Sequence, residues 1–473
     1  MNRSASLALR TDLYELTMMQ GYWASGRTEE WGAFELMYRE VPEQGGYCIA
    51  AGIEDSLSLL QEMSFHDDEI DYLRSLDLFQ AGFLEYLKSI RFRGDVRAVR
   101  EGSLIFPHEP ILEVTGPLAE VQWVESMLLN TINFQTLIAT KARRMVEVAR
   151  PASIIEYGLR RAQGPNGALW ATRASYLGGC IGTSNVEAGF HYRIPVFGTH
   201  AHSWVQSFDD EAEAFRTYGD VFPDQSVLLI DTYDTLRSGL PLAIAEAKRL
   251  EKLGSRLKGI RLDSGDLAYL SKECRRQLDQ AGLSYVKIIA SSDIDEYLIQ
   301  DLKVQGAPID LFGVGTKLVT AFQDPALGGV YKLVALRNDH AWSPRIKISS
   351  NPVKTTIPGR KQIYRWEEQG RYLGDCLATI GESTPRHMRH PDISYKQTDL
   401  KADQLHSLLE PRLVQGTEVR RASTLDESRA LVEEEISKLP LEHRRLANPH
   451  PYRVGLSNEL YDLRQRMIKE HQH

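Results

Sequence analysis

The amino-acid sequence predicts an α/β protein whose middle third is built from parallel strands that alternate with helices. The chain has 473 residues, enough for about three domains or for one large barrel with additions. Hydrophobic residues make up 42% and charged residues 25%, which is ordinary for a globular protein. After Pro151, short β-branched runs alternate with amphipathic stretches, which is the pattern of βα units.

The first third of the chain predicts a mixed domain over residues 1–150. The string LYELTMMQGYWASG, from Leu13, predicts a helix that ends at a glycine. The string from Trp31 to Ile53 predicts an extended segment with a Gly-Gly turn, and SLIFPHEPILEVTG predicts short antiparallel strands. The periodicity from Leu118 to Val148 predicts one long helix, with Pro117 at a favourable starting position.

Six apolar runs then predict parallel strands in a second domain over residues 151–330. They begin at Ser153, Pro195, Ser226, Lys258, Val286 and Ile309. Their starts are 42, 31, 32, 28 and 23 residues apart, the spacing that β-helix-β units produce. The stretches GLPLAIAEAKRLEKLG, LAYLSKECRRQLDQAG and IDEYLIQDLKVQG each predict an amphipathic helix that ends at glycine.

Beyond about Tyr331 this rhythm stops, and residues 331–473 predict a C-terminal segment that packs on the first two domains. The segment Lys347–Arg365 is basic and extended. It is either a phosphate-binding surface or a solvated face, and the second interpretation is slightly favoured. The tail after Asn448 predicts a closing helix.

Charge and composition exclude several classes of protein. Lys and Arg number 56 against 64 Asp and Glu, a net charge of −8 without a basic stripe, which argues against nucleic-acid binding. No run of 18 apolar residues predicts a membrane span, and the N-terminal segment lacks a signal-peptide core, so a cytoplasmic location is expected. The four cysteines have no C-x-x-C spacing, which favours a reducing compartment and argues against a zinc site.

All six apolar runs end in polar residues or glycine. In a parallel sheet or barrel the carboxyl ends of the strands face one side, and active sites are built there. Loops are polar in any protein, but six ends that hold arginine, histidine and aspartate favour a site. These residues are Tyr157, Arg160, Thr199, His200, His202, Asp231, Thr232, Asp234, Arg261, Asp263, Asp266, Ser291, Ser292, Asp293, Gly313, Gly315 and Thr316.

Three of these strand ends carry specific chemistry. Gly313 and Gly315 in GVGTK could let backbone N–H groups approach a phosphate, or could only form a tight turn. The adjacent arginines of GLRRAQGPNG suit a carboxylate or phosphate, and a surface ion pair is the alternative. His200 and His202 lie two residues apart, so at most one faces the rim on a simple interpretation.

The string IDTYDTLRSG resembles the diphosphoribose loop of the common phosphoribosyltransferases, but its acids are three apart rather than adjacent. Longer strings resemble a different family, the nicotinate phosphoribosyltransferases. They are TDLYELTM, FELMYREVPEQGGY, EYGLRRAQGPNGALWATRASYLGG, GTSNVEAG, GTHAHSWV, DTYDT, RLDSGD and FGVGT. The likeness runs from about Thr11 to Leu377 and resumes over Asn448–Leu463.

This resemblance implies an irregular, incomplete β/α barrel of the type II phosphoribosyltransferase kind, with an N-terminal α/β domain and a C-terminal extension, in a homodimer. It implies that nicotinate and phosphoribosyl pyrophosphate give nicotinate mononucleotide and pyrophosphate, in NAD biosynthesis. ATP hydrolysis with Mg²⁺ would be coupled to this transfer through a transient phosphohistidine.

The resemblance also assigns expected roles to residues. The phosphohistidine falls on His202 and a nearby acid on Asp231; Asp231 and Asp263 would suit a metal ion. Tyr157 would stack on the pyridine ring beside Arg160, and Ser184 occupies the position that distinguishes acid from amide. Arg261 and Asp263 are expected to contact the diphosphoribose, and Gly313 and Gly315 a phosphate group. Thr199, Ser292 and Thr316 are expected to contact substrate. Tyr14 and Arg39 are expected to reach across the dimer interface. No role is assigned to His200.

Three other functions are weighed against this one. Nicotinamide phosphoribosyltransferases share the architecture, but they carry aspartate where this chain has Ser184. A non-catalytic pyridine-nucleotide-binding protein would be expected to lose His202, Asp263 or Arg160, and all three are present. A barrel aldolase would usually place a lysine at a strand end, and only Lys317 lies near one.

Overall fold

The computed structural model describes residues 7–338, 341–351, 354–393, 395–399 and 402–471. The chain divides into two units, one of Met1–Leu137 with Ala326–His473 and one of Ile138–Pro325. The three-domain division at residues 150 and 330 stays a prediction, but the segments before and after the middle region belong to one unit.

The first part of the chain contains the predicted early helix and the predicted antiparallel strands. Its elements are α1 (Leu13–Ala24), β1 (Trp31–Tyr38), β2 (Cys48–Ile49), α2 (Ile53–Glu62), α3 (Asp67–Ser75), α4 (Ala81–Ser89), β3 (Asp95–Ala98), β4 (Leu104–Ile105), β5 (Leu112–Pro117), α5 (Leu118–Trp123) and α6 (Glu125–Ala149). The single long helix expected over Leu118–Val148 is wrong, because the chain breaks at Val124. The buried carboxylate of Glu15 accepts hydrogen bonds from the backbone N–H of Ser126 at 3.0 Å and from its hydroxyl at 2.5 Å. It thus provides an acceptor for one of the first backbone N–H groups of α6, which have no partner within the helix.

The second unit contains one sheet of six parallel strands with helices between them. Its elements after α6 are β6 (Ser153–Glu156), α7 (Gly164–Leu177), β7 (Gly182–Thr183), α8 (Val186–Tyr192), α9 (His202–Gln206), α10 (Glu211–Val221), β8 (Val227–Leu229), α11 (Leu240–Lys252), β9 (Gly259–Leu262), α12 (Leu267–Gln280), β10 (Lys287–Ser291), α13 (Glu296–Val304), β11 (Leu311–Val314) and α14 (Thr316–Val319). The strand order is β7-β6-β11-β10-β9-β8. The parallel α/β fold is therefore confirmed.

Five of the six predicted strands are present, and the run from Pro195 is a wrong prediction. Only Val196 forms an isolated bridge, with Thr183 of the two-residue strand β7, which the sequence pattern missed. Thr183 N–H donates to Pro195 O at 3.0 Å, and Phe197 N–H donates to Thr183 O at 2.8 Å. At the opposite edge of the sheet, the backbone N–H of Leu229 in β8 donates to the imidazole of His200 at 3.2 Å instead of to the backbone of a neighbouring strand. Residues 195–200 thus contact both edge strands of the sheet, β7 and β8, without forming a strand of their own.

The three predicted amphipathic helices α11, α12 and α13 are confirmed. Each is followed by a glycine in the left-handed region, which is Gly254 (φ +82°), Gly282 (φ +77°) and Gly306 (φ +73°). In α12 the N–H of Leu283 reaches Leu278 O at 2.8 Å, as in a Schellman turn.

The last part of the chain is mostly antiparallel strands. Its elements are β12 (Gly329–Asn338), β13 (Ala341–Pro344), β14 (Lys361–Glu368), β15 (Arg371–Thr379), β16 (His387–Arg389), β17 (Gln397–Asp399), β18 (Gln404–Ser407), β19 (Glu410–Val414), β20 (Thr417–Glu418), α15 (Leu425–Lys438), β21 (Val454–Leu456) and the predicted closing helix α16 (Asn458–Glu470). They complete a sheet ordered β13-β12-β1-β5-β3-β19-β20 and form another ordered β17-β16-β21-β15-β14-β18.

The basic segment Lys347–Arg365 is not simply a solvated face, although its residues 352–353 lie outside the described ranges. Lys361 is buried with its ammonium 2.9 Å from buried Glu35, and buried Arg365 pairs with Asp375 at 2.6 Å. These acids are not part of the segment, so the pairing could not be seen from its own composition.

None of the helices in the described ranges is long and apolar enough to cross a membrane. All four cysteines have buried side chains.

Candidate active site

The carboxyl ends of the parallel strands surround a cleft of about 410 Å³ in the second unit. Its walls come from the ends of the strands and from the Gly198–His202 segment. The residues predicted for the site that line it are Tyr157, Arg160, Ser184, Thr199, His202, Arg261, Asp263, Ser292, Gly313, Gly315 and Thr316. The strand ends and the family resemblance thus predicted residues from separate parts of the sequence that meet in one cleft.

Arg261, at the end of β9, is the centre of the polar network on the floor of the cleft. Its Nε donates to Ser291 Oγ at 2.8 Å, and its two terminal nitrogens donate to Thr199 Oγ1 at 3.0 Å and to Asp263 Oδ1 at 2.8 Å. The hydroxyl of Ser291 also donates to Asp263. The arginine fork is thus fixed in position before any ligand arrives.

His202 and Asp231 form a hydrogen-bonded pair at one side of this network. His202 Nε2 lies 3.1 Å from Asp231 Oδ1, with the imidazole 39% exposed and the carboxylate 1% exposed. The other oxygen of Asp231 accepts from the backbone N–H of Asp263 at 2.8 Å and from Ser264 Oγ at 2.7 Å. The aspartate holds the proton on Nε2, so the lone pair of the imidazole is on Nδ1.

His200 is occupied on both ring nitrogens. Because Nε2 accepts from Leu229 N–H, the ring proton is on Nδ1, which lies 3.3 Å from Ala201 O. The rings of Phe215 and Tyr218 pack against the imidazole. Burial lowers the pKa of His200 to about 4, with smaller contributions from Arg261 and His202, so the ring is neutral at physiological pH.

Tyr157 lies between the glycine turn and the arginine. A Cβ atom on Gly313 would come within 2.5 Å of the Tyr157 ring, so glycine is needed there for the ring to fit. The Arg261 guanidinium lies over the ring, 5.6 Å from its centroid. One function of this G-x-G turn is therefore to make room for an aromatic side chain.

Arg160 and Arg161 place two positive charges at the cleft. They lie in a short 3₁₀ turn, Leu159–Arg161, and are both exposed at the cleft. Neither makes an ion pair with any residue in the described part of the chain. They are suited to bind an anionic group.

The sequence reasoning left several cleft residues without a role. Ser291 is hydrogen bonded to Arg261, and Asp293 lies on the rim beside Ser292. Ser292 and Asp293 have φ values of +109° and +32°, and non-glycine residues in such strained conformations cluster at functional sites. Glu156 lies behind the wall of the cleft, and the apolar run that contains it gave no sign of a buried acid with a role.

Tyr14 and Arg39 lie in the first unit. The side chain of Tyr14 is on the exposed face of α1 and is 45% exposed. Burial of its hydroxyl, with Glu125 and Glu15 nearby, raises the pKa of Tyr14. Arg39 follows β1, and its charge, with that of Lys347, adds to burial in lowering the pKa of Lys332. Whether either residue reaches a cleft across a dimer interface stays a prediction.

Asp263 suits a metal ion that is held mainly by substrate oxygens better than Asp231 does. No group of three or more His, Cys, Asp or Glu side chains in the described ranges could form a metal cage. Asp263 lines the cleft, is 31% exposed and uses Oδ1 for its side-chain contacts with Arg261 and Ser291. Asp231 is almost fully buried and uses both oxygens. One carboxylate together with phosphate oxygens is a usual Mg²⁺ arrangement.

Comparison with known proteins gives one consistent family. Residues 9–133, 152–371 and 360–464 match the N-terminal domain, family and C-terminal domain models of nicotinate phosphoribosyltransferase (NAPRTase). Curated nicotinate phosphoribosyltransferases from Bacillus subtilis and Homo sapiens are 44% and 37% identical over 98% of this chain, and each match covers 96% of the relative.

A solved structure of human nicotinic acid phosphoribosyltransferase superposes with a TM-score of 0.86 at 34% identity, covering 97% of this chain and 99% of that one. A nicotinate-nucleotide pyrophosphorylase from Pyrococcus furiosus shares the fold, with a TM-score of 0.70 at 22% identity over 93% of this chain and 97% of that one. These matches extend over nearly the whole chain and include the cleft-lining segments. The chain therefore belongs to the nicotinate phosphoribosyltransferase family.

Proposed function

We propose that this chain transfers a phosphoribosyl group from phosphoribosyl pyrophosphate to nicotinate, with ATP hydrolysis coupled to the transfer. The products are nicotinate mononucleotide and pyrophosphate, in NAD biosynthesis in the cytoplasm. The observation that carries this proposal is a single cleft that joins exposed arginines, a fixed Arg261–Asp263 pair and a histidine held by a buried aspartate.

Nicotinate binds through its ring and its carboxylate. Tyr157 offers an aromatic surface that orients the pyridine ring, and Arg160 offers a charge-assisted hydrogen bond to the carboxylate. Ser184 lines the same cleft with a neutral hydroxyl. A carboxylate substrate therefore meets no fixed negative charge at Ser184, which favours the acid over the amide.

The diphosphoribose binds at the Arg261 network. Displacement at the anomeric carbon passes through an oxocarbenium-like state, so the two anionic ends of the substrate must be held while positive charge develops between them. Arg261 and Asp263 are pre-oriented for this, and the Gly313–Thr316 turn with Ser292 lines the same cleft. Bound Mg²⁺, held by Asp263 and substrate oxygens, would neutralise the leaving pyrophosphate.

His202 accepts a phosphoryl group from ATP. Its Nδ1 lone pair attacks the γ-phosphorus, a P–N bond forms, the bond to the bridging oxygen breaks, and ADP leaves. The proton on Nε2 stays shared with Asp231, which stabilises the positive charge on the ring. Hydrolysis of the P–N bond returns the free imidazole and phosphate. Both oxygens of Asp231 are engaged, so orientation of His202 suits this residue better than metal ligation.

The enzyme acts as a homodimer whose sites are shared between subunits. In the first unit, α1 leaves Leu13, Tyr14 and Met18 exposed, and in the second unit α8 leaves Val186 and Phe190 70% and 83% exposed. Exposed apolar side chains on successive turns are typical of interaction surfaces. Tyr14 and Arg39 of one subunit then complete the cleft of the other.

The test is product formation from nicotinate and from nicotinamide, each with and without ATP. We expect the acid to be preferred at least about a hundredfold, because the amide loses a charge-assisted hydrogen bond worth roughly 2–3 kcal/mol. Ser184→Asp should shift the preference towards nicotinamide, because it places a negative charge beside the substrate carboxylate. Equal turnover of both substrates by the unmodified protein would contradict the proposal.

A further inference from the structure

Glu156 is a buried carboxylate directly behind the cleft wall that the mechanism above does not use. It ends β6 and is 1% exposed. Its side chain accepts hydrogen bonds from the backbone N–H of Gly158, from Thr172 Oγ1 at 2.9 Å and from Thr183 Oγ1 at 2.5 Å. Burial of a carboxylate is costly, and here three donors offset that cost.

The carboxylate belongs to a closed polar network that includes Thr172, Thr183 and Asn185. Asn185 Nδ2 donates to Thr172 Oγ1 at 3.3 Å, and Asn185 N–H donates to Thr183 Oγ1 at 2.9 Å. Asn185 Oδ1 then accepts from Ala188 N–H at the start of α8. All four side chains belong to buried residues, so bulk solvent does not readily replace a lost hydrogen-bond partner.

Two of the three contacts of the Glu156 carboxylate are adjacent to residues at the proposed pyridine end of the cleft. Tyr157 follows Glu156 in the chain. Gly158, whose N–H donates to the Glu156 carboxylate, directly precedes the 3₁₀ turn that carries Arg160. Thr183 directly precedes Ser184, whose own N–H donates to Glu156 O at 2.9 Å. One residue thus connects two segments, residues 156–161 with the aromatic surface and the arginine, and Thr183–Ser184 with the serine.

We propose that Glu156 is a positioning residue that sets the geometry of the nicotinate pocket. It acts by holding the Gly158 turn and the Thr183–Ser184 segment at a fixed separation, so that Arg160 and Ser184 meet the substrate carboxylate together. The inference rests on the proposed function. It is separate from the Arg261 and His202 networks, whose side-chain hydrogen bonds among the described residues do not include Glu156.

The sharpest test uses isosteric changes at Glu156 and Thr183. Glu156→Gln keeps the shape but replaces an accepting oxygen with a donor that faces two hydroxyl groups. Thr183→Val keeps the shape but removes the hydroxyl, and Thr183→Ser, which keeps the hydroxyl, is its matched control. Glu296→Gln controls for loss of a buried carboxylate elsewhere in the same unit, since buried Glu296 pairs with Lys141 at 2.9 Å.

The readouts are KM for nicotinate, KM for phosphoribosyl pyrophosphate and ATP-dependent phosphorylation of the protein. We expect Glu156→Gln and Thr183→Val each to raise KM for nicotinate roughly tenfold, the effect of one lost buried hydrogen bond. KM for phosphoribosyl pyrophosphate and the phosphorylation level should stay within about twofold. The double variant should be little worse than either single one, because both changes break the same network. Thr183→Ser and Glu296→Gln should leave KM for nicotinate unchanged.

Several outcomes would overturn the proposal. Equal changes in both KM values and in phosphorylation would show a general structural role. An unchanged KM for nicotinate in folded Thr183→Val would show that the contact does not position the pocket. If Glu156→Gln and Thr183→Val both fail to fold while the controls fold, the role is structural and the proposal is wrong. Failure of the proposed function is seen separately, as absence of nicotinate turnover in the unmodified protein.

Discussion

His200 and His202 show how two histidines two residues apart receive different chemistry from their surroundings. His202 is partly exposed and keeps Nδ1 available beside a buried aspartate, whereas His200 is buried with both nitrogens engaged. After incubation with ATP and Mg²⁺ we expect an acid-labile, base-stable phosphate on the protein. His202→Ala should abolish the label and the ATP hydrolysis, while slow ATP-independent transfer remains.

The matched control for this prediction is His200→Gln. A glutamine amide oxygen can accept from Leu229 N–H in place of Nε2, so the label should persist. Labelling that survives in His202→Ala and disappears in His200→Gln would show that the other histidine carries the phosphate. The measurement is the stoichiometry of phosphate on each purified variant.

A second prediction at this scale concerns stability and pH. His200 stays neutral in the folded protein down to about pH 4, whereas in the unfolded chain it takes up a proton near pH 6.5. The unfolded state therefore binds more protons between these values, and stability is lost as the pH falls through this window. Relative to His200→Gln, the wild-type free energy of unfolding should fall by up to roughly 3 kcal/mol from pH 7 to pH 4. Parallel curves for the two proteins in denaturant titrations would contradict this.

Sequence reasoning could place both histidines near the rim but could not choose between them from spacing alone. The alternation argument assumed an extended strand from Pro195. The chain instead makes one bridge at Val196 and starts α9 at His202. What separates the two rings is the N–H of Leu229 and the carboxylate of Asp231, each 29 residues along the chain from its histidine. The choice of His202 rested on the family resemblance.

At the scale of elements, patterns with local causes were predicted well. The helices α11, α12 and α13 follow from amphipathic stripes and terminal glycines, because 3.6-residue periodicity and left-handed capping are local properties. Strand β7 was not predicted, because a strand of two residues, Gly182 and Thr183, is too short to show a periodic pattern. The break at Val124 was not predicted, and the acid that accepts from Ser126 N–H at the start of α6, Glu15, is 111 residues away in the chain.

We predict that a backbone change at Gly282, which follows α12, lowers stability without changing activity. It follows α12 with φ +77°, and a Cβ there would meet nothing within 4 Å. Gly282→Ala should therefore lower the free energy of unfolding by about 1 kcal/mol through backbone strain alone, and Gly282→Asn by less. Since α12 runs back from the end of β9 that carries Arg261 and Asp263, kcat and KM should not change. A loss of activity at unchanged stability would contradict this separation.

For the whole molecule, the parallel part could be predicted from the sequence and most of the antiparallel part could not. Spacing of βα units is visible along the chain, and it places the strand ends on one rim. By contrast, Trp31 of β1 pairs with Arg337 of β12, about 300 residues later. Such pairings leave no local periodicity, so the sequence pattern predicts β12 and the β14–β15 hairpin only as part of an irregular C-terminal segment.

The proposed shared active site leads to a prediction about mixed dimers. If Tyr14 acts in the partner's cleft, Tyr14→Ala and His202→Ala chains each lack ATP-coupled turnover when alone, and the slow ATP-independent transfer of His202→Ala is subtracted as background. Random exchange at equal amounts makes half of the dimers mixed, and each mixed dimer has one intact site of two. The mixture should then recover about a quarter of the wild-type activity, measured as nicotinate mononucleotide formed per dimer.

The complementary experiment places both changes in one chain and mixes that chain with an excess of wild type. If Tyr14 acts across the interface, a mixed dimer has no intact site, because the wild-type cleft then lacks the tyrosine ring of its neighbour and the altered cleft lacks its histidine. If Tyr14 acts within its own chain, the wild-type subunit of the same dimer stays active. An excess of wild type places most double-variant chains in mixed dimers. Each double-variant chain then inactivates the site of the one wild-type chain with which it pairs, so the number of active sites should fall by about one for each double-variant chain added. Unchanged activity in dimers shown to exchange would mean that each cleft is completed by its own chain.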